Sequence, residues 1–240
     1  MRLALLASLL ALALAGCIEA ETEPPETSDI VAGVPWPDNE RAEYVLLNRD
    51  SKAEIGSGVL TIARDGDRYE LGLNFQNEDA TDESAIVVDA STLKPISVRR
   101  EFRSEDFAIL EAEYDDDAEV VNITEIDKDG DERLVPLRLE EHYYDNESSL
   151  FVWRTIAFAE GYEADYYSVL TNFRRNNLVH IEVVEQEEIT VPAGTFQTWR
   201  VVISFENVEQ VAWFSTGPDR ALVQYDNSLQ LFQLTSVTEG

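Results

Sequence analysis

From Arg41 onward, apolar and polar residues alternate with a period of two rather than 3.6. Ala108, Leu110, Ala112 and Tyr114 are interleaved with Glu111, Glu113 and Asp115. Val179, Ile181 and Val183 alternate with His180 and Glu182, and Trp199, Val201, Ile203 and Phe205 with Arg200, Val202 and Ser204. Such segments are half-buried strands, with one face on a core and the other mostly in water. Turn-forming residues fall at short intervals: Asp65-Gly66-Asp67, Asp115-Asp116-Asp117, Asp129-Gly130-Asp131, Arg175-Asn176-Asn177, Pro192-Ala193-Gly194, Gly217-Pro218-Asp219 and Asp226-Asn227. The spacing predicts about a dozen strands joined mostly as hairpins, a mainly β antiparallel meander. One segment departs from this period. Asp145 to Ser149 is rich in helix-capping residues, and Leu150, Trp153 and Ala157 then recur at helical spacing. This predicts one helix over about Ser148–Glu160, stopped by Gly161 and packed on the sheet.

The N-terminus follows another logic. Arg2 precedes a short apolar run that ends in small residues, which is the pattern of a secretory signal. The run is shorter than the roughly 20 residues of a membrane-spanning helix. It ends in Leu14-Ala15-Gly16-Cys17, which resembles the bacterial lipobox, and Cys17 is the chain's only cysteine. The expectation is cleavage after residue 16 and acylation of Cys17, palmitate included, with stable anchoring to the membrane. Residues 17–40 hold five acids between Glu19 and Asp29, with Pro24, Pro25, Pro35 and Pro37, and read as a disordered acidic tether. The division is therefore a signal peptide over 1–16, a tether over 17–40, and a single β-rich domain over 41–240. Ile18, not Asp, follows the cysteine. That favours an outer membrane where one exists, and otherwise the outer face of the cell membrane.

Charge removes several classes of function. The chain has 240 residues, 48 acids against 18 Lys and Arg, and a net charge of −30. Such a chain has no electrostatic footprint for nucleic acid. One Cys excludes an internal disulfide and a Cys-based zinc site. The acidity fits salt adaptation, plain solubility, or an acidic surface for a basic partner, and composition does not choose among them. Asp127, Asp129 and Asp131 match the first ligand positions of a calcium loop, but Glu132 stands where that loop needs Gly and Arg138 where it needs Glu. The segment reads as a solvated hairpin turn, and no metal site or cofactor is expected. His142 and His180 sit among polar neighbours as exposed bystanders. No nucleophile or phosphate-loop motif occurs, so no catalytic residue is assigned and the chain reads as non-enzymatic.

Glu188-Ile189-Thr190-Val191-Pro192-Ala193-Gly194-Thr195-Phe196 is a hairpin with a defined turn chemistry, and Trp213-Phe214 ends a later strand. Upstream stand Ile55-Gly56, the turn Gly66-Asp67-Arg68-Tyr69, and Asp145-Asn146 with Arg154 before Gly161-Tyr162. Together these residues resemble an uncharacterised bacterial envelope family with a V-P-A-G-x-F hairpin. The resemblance implies a strongly curved antiparallel sheet around a helix, a clam-like half-barrel similar to those of bacterial lipoprotein carriers. It implies no activity.

The leading expectation is a membrane-anchored extracytoplasmic lipoprotein that binds an apolar ligand such as an acyl chain, or acts as an envelope scaffold. The alternatives are a protein-interaction module using its acidic face or a sheet edge, and an envelope hydrolase. Candidate pocket residues are Trp153 and Arg154 on the helix, with Trp199 and Trp213 on the strands expected to face it. Arg154 is also read as the structural partner of an acid.

Overall fold

The structure, a computed structural model, describes residues 26–103 and 108–240. The expected signal peptide and Cys17 lie outside these residues. The first half of the sheet comprises β1 (Asn39–Asn48), β2 (Glu54–Asp65), β3 (Arg68–Asn77), β4 (Thr81–Asp89), β5 (Pro95–Arg103), β6 (Ala108–Asp115), β7 (Val120–Asp127) and β8 (Glu132–Arg138). The second half comprises β9 (Tyr143–Asp145), β10 (Tyr162–Leu170), β11 (Arg175–Val191), β12 (Gly194–Phe205), β13 (Val208–Ser215), β14 (Leu222–Asp226) and β15 (Gln230–Glu239). All fifteen form one sheet, in the order β8 to β1 and then β15 to β9. Two meanders thus meet where the first and last strands pair. Neighbours are antiparallel except for the short β9, which runs parallel to β10.

The sheet is open, with β8 and β9 as its edges. It curls until the edges come close: Tyr114 stacks on Tyr143 at 5.8 Å, and Asn176 Nδ2 donates to the Arg138 carbonyl at 2.8 Å. Register shifts at Glu43/Tyr44, Leu46/Leu47, Val87/Val88, Val183/Glu185 and Trp213/Phe214 mark irregularities that add local twist and help bend the sheet. The alternation translates directly into burial. Tyr69, Leu71 and Leu73 of β3, Val179, Ile181 and Val183 of β11, and Val201 and Ile203 of β12 all point into one core.

The helical segment is shorter than expected. A 3₁₀ turn over Asn146–Ser148, α1 (Ser149–Val152) and a second 3₁₀ turn over Trp153–Thr155 make one continuous stretch. It stops at Ile156, whose backbone is extended (φ −65°, ψ 162°). Leu150, Phe151, Val152 and Trp153 are all buried, so no side of this part faces water. Burial on every side of these residues leaves no water-facing stripe for a helical period to mark. Gly161 has φ +76°, but it opens β10 rather than ending a helix. The turn expected at Arg175–Asn177 also shifts. Those residues begin β11, and a 3₁₀ turn over Thr171–Phe173 with left-handed Arg174 precedes them.

The acidic N-terminal stretch is not all tether. Residues 26–38 lie against the domain, burying Ile30 and Trp36. The Ala32 N–H donates to the Thr155 carbonyl at 2.8 Å, and Lys94 Nζ reaches Asp29 Oδ1 at 2.7 Å. Two large apolar side chains among prolines are enough to seat a segment that charge alone would leave in water.

Candidate functional site

The two ends of the curled sheet differ. At one end the N-terminal segment and the last residues of the helical stretch, Arg154 and Thr155, fill the interior. Trp36 meets Tyr69 edge-on at 5.9 Å. The Arg154 guanidinium forms a two-pronged pair with Glu40 on β1, at 2.7 and 3.0 Å, and donates to the carbonyls of Asp219 and Arg220. It also lies 5.2 Å from the Trp36 ring centroid. Both charges of this pair are almost fully buried (3% and 4% exposed). Arg154 is therefore the structural partner of an acid, and it clamps the helical stretch to the sheet.

The opposite end is open and leads into a cavity of about 460 Å³. Its apolar wall includes Trp153, Tyr166, Tyr225, Phe232, Phe75 and Val179. These side chains hold one another. Trp153 Nε1 donates to the Tyr166 hydroxyl at 2.9 Å, the Tyr225 hydroxyl donates to Gln210 Oε1 at 2.6 Å, and Phe75 meets Phe232 edge-on at 5.3 Å. Phe75 takes its place because Gly58 opposes it, where a Cβ would stand 2.8 Å from the Phe75 ring.

One side of the cavity is charged. Arg100 on β5 donates to Asp82 on β4 from Nε (2.8 Å) and Nη2 (2.6 Å), and to Glu147 from Nη1 (3.3 Å). The hydrogen bonds to Asp82 and the charge of Glu147 hold the Arg100 pKa above its usual range. Two carboxylates thus more than neutralise this guanidinium. Deeper in, Ser168 and Asn177 face each other across β10 and β11, and the Ser168 hydroxyl has no hydrogen-bond partner. Behind the charged wall, Asp145 is fully buried and caps the helical stretch by accepting the Glu147 N–H at 2.7 Å. Burial first, and then the Glu147 charge, push its pKa up to about 7, against the stabilising Tyr114 hydroxyl at 2.5 Å.

The four residues singled out in the sequence do not converge. Trp153 lines the cavity. Arg154, next along the chain, turns into the Glu40 clamp. Trp199 packs on Phe158 at 6.3 Å, away from the cavity. Trp213 alternates with buried Ala212 and Phe214, and its Nε1 donates to Glu187 at 2.6 Å. The Arg100–Asp82–Glu147 group and the Ser168–Asn177 pair went unforeseen. Their signal is a polar residue in an apolar phase, as in Val98-x-Arg100-x-Phe102 on β5 and Tyr166-x-Ser168 on β10. Neither histidine lines the cavity: His180 Nδ1 lies 3.1 Å from Asp165, and His142 Nδ1 lies 3.0 Å from Thr27 Oγ1. Among the described residues no three His, Cys, Asp or Glu side chains gather to hold a metal ion.

Fold and site define a class: an open antiparallel half-barrel, plugged at one end and hollow at the other. The chain belongs to the DUF3108 family of proteins of unknown function, whose sequence profile matches residues 44–229. No curated protein matches it. Among solved structures it is similar to a β-barrel-like protein of the domain of unknown function DUF1849 from Brucella abortus (TM-score 0.56, 11% identity, 85% of this chain and 99% of the other). That likeness shows a shared fold. Two further proteins match with lower scores. One, from Bacteroides fragilis, is designated as exported with a YmcC-like fold (TM-score 0.33, 12% identity, 88% of this chain and 100% of the other). The other, from Parabacteroides distasonis, is designated a lipoprotein (TM-score 0.32, 10% identity, 88% of this chain and 100% of the other).

Proposed function

We propose that this protein is an extracytoplasmic lipoprotein, anchored through acylated Cys17, that shelters an amphipathic or apolar molecule in the open end of its half-barrel without chemically transforming it. The observation that carries this reading is the cavity. Its volume of about 460 Å³ lies within the roughly 300–1,000 Å³ of typical ligand sites, and its wall combines aromatic and aliphatic side chains with polar and charged ones, Arg100, Asp82 and Glu147 among them. That mixture suits an amphipathic molecule. The anchor reading rests on the lipobox-like Leu14–Cys17 segment.

Trp153 supplies the test, because it borders the cavity while Trp199 and Trp213 do not. Titration with a fatty acid and with a phospholipid should change tryptophan emission saturably. The Trp153→Phe variant, which keeps the apolar wall, should lose most of that change. An emission spectrum indifferent to both ligands, or a response unaltered in Trp153→Phe, would oppose ligand binding at this site.

A further inference from the structure

The large apolar side chains that the protein leaves in water are gathered at one end. Among the described residues these are Phe173, Leu229, Val208 and Leu134, exposed by 65%, 76%, 38% and 64%. Phe173 lies in the 3₁₀ turn between β10 and β11, Val208 at the β12–β13 turn, and Leu229 in the β14–β15 turn. All three turns border the cavity opening, whose wall includes Asn172, Phe205, Asn227 and Gln230. Leu134 is on the edge strand β8, near its start at the same end.

These turns form one continuous rim. Arg175 pairs with Glu206 at 2.9 Å, joining the Phe173 turn to the Val208 turn. The Ser228 hydroxyl donates to the Glu209 carbonyl at 2.5 Å, joining the Val208 turn to the Leu229 turn. The Arg49 N–H donates to the Leu229 carbonyl at 3.1 Å, and its guanidinium meets Asp226 at 2.8 Å, which adds the β1–β2 turn. Arg49 and Arg175 therefore have their charge matched within the rim, while the apolar side chains point outward unmatched.

We infer that this rim docks on the surface of a lipid bilayer of zwitterionic headgroups, with the cavity opening towards it. Single apolar side chains on separate turn tips suit a fluid interface that fills the spaces between them. The net charge of −30 disfavours an anionic surface. The inference rests on the anchored ligand-binding reading for its geometry. Cys17 lies nine positions before Glu26, at the start of the segment that packs on the domain, so an acylated Cys17 holds the body within about 30 Å of the bilayer. In this pose an apolar molecule passes between bilayer and cavity without crossing bulk water.

A depth measurement on the full acylated protein in phosphatidylcholine vesicles tests the pose. An environment-sensitive fluorophore is attached to Asn207→Cys, beside Val208 on the rim, or to Asp67→Cys on the β2–β3 turn at the plugged end; both positions are exposed. The parent chain, treated identically, supplies the background. Quenching by lipids carrying a nitroxide on the acyl chain should be at least about twofold greater at 207 than at 67. Adding Phe173→Ser and Leu229→Ser should reduce the 207 signal to that at 67. Equal quenching at the two sites, or a 207 signal insensitive to the serine substitutions, overturns the inference, and a rim that serves a protein partner would give the former. The label reports lipid contact whether or not the cavity is filled. A rim in lipid with no cavity ligand sinks only the ligand-binding reading, and a filled cavity with the rim in water sinks only the docking.

Discussion

At the residue scale, two buried charges govern how the interior is held. Glu40 and Arg154 neutralise each other far from water, and among the described residues neither makes another ion pair. Glu40→Gln should cost about 3–5 kcal/mol, because the guanidinium is left buried without a counter-charge, with only neutral carbonyl oxygens to accept from it. The double variant Glu40→Gln/Arg154→Met should cost less than the sum of the single changes. Denaturant titrations of all four proteins measure this coupling, and strictly additive costs would count against the clamp. Asp145 makes the opposite demand. Its carboxyl binds a proton with pKa about 7 when folded, against roughly 3.9 in an unfolded chain. Folding therefore takes up a proton between these values. The protein should lose stability as pH rises from about 4 to about 7, with no further loss from this group above that. Asp145→Asn removes the titration, so relative to the variant the wild type should weaken by a few kcal/mol between pH 5 and pH 8. Parallel pH profiles would show that Asp145 ionises freely in the folded protein.

At the element scale, hairpins are the parts most legible in the sequence, because each is set by residues close along the chain. The turn at Pro192-Ala193 is an example. Pro192 restrains one corner, Val191 pairs with Gly194, and Gly194 takes φ +138°, a region that β-branched residues avoid. Gly194→Val should destabilise the domain by about 1–3 kcal/mol. A thermal melt that does not move would mean the hairpin tolerates a different turn. Elements that depend on long-range packing were less legible. The centre of the helical stretch, Leu150–Trp153, is buried on every side, so it carries no amphipathic period. Residues 26–38 look like tether by composition, yet Ile30 and Trp36 find a core built from strands distant in sequence. The cavity wall has the same history. Arg100, Ser168 and Asn177 are unremarkable alone, and only the curl of the sheet brings them to one site.

At the scale of the whole molecule, the placement of β1 beside β15 explains the shape. Two meanders grow outward from this central pair, twist accumulates in the same sense along each, and the far edges β8 and β9 swing towards each other. Side chains rather than ladder hydrogen bonds then span the gap, as in the Tyr114–Tyr143 stack and the Asn176–Arg138 contact. A sheet curled this far encloses more interior than one ten-residue helical stretch and the N-terminal segment can fill. The unfilled portion is the cavity, bordered by the start of the helical stretch, while the N-terminal segment and the Arg154–Thr155 end of that stretch fill the other end. The acidic exterior keeps such a particle solvated, and among the described residues the exposed large apolar side chains stand at the open end.

The central claim is that the open end of this half-barrel holds an amphipathic molecule. Native mass spectrometry of the protein, purified from its own membranes under mild conditions, tests it most directly. The account predicts a population heavier than the acylated chain by one discrete small amphiphile, and a smaller bound fraction for the Trp153→Phe variant. A spectrum showing only the acylated chain, with no amphiphile bound before or after incubation with lipid, would contradict it.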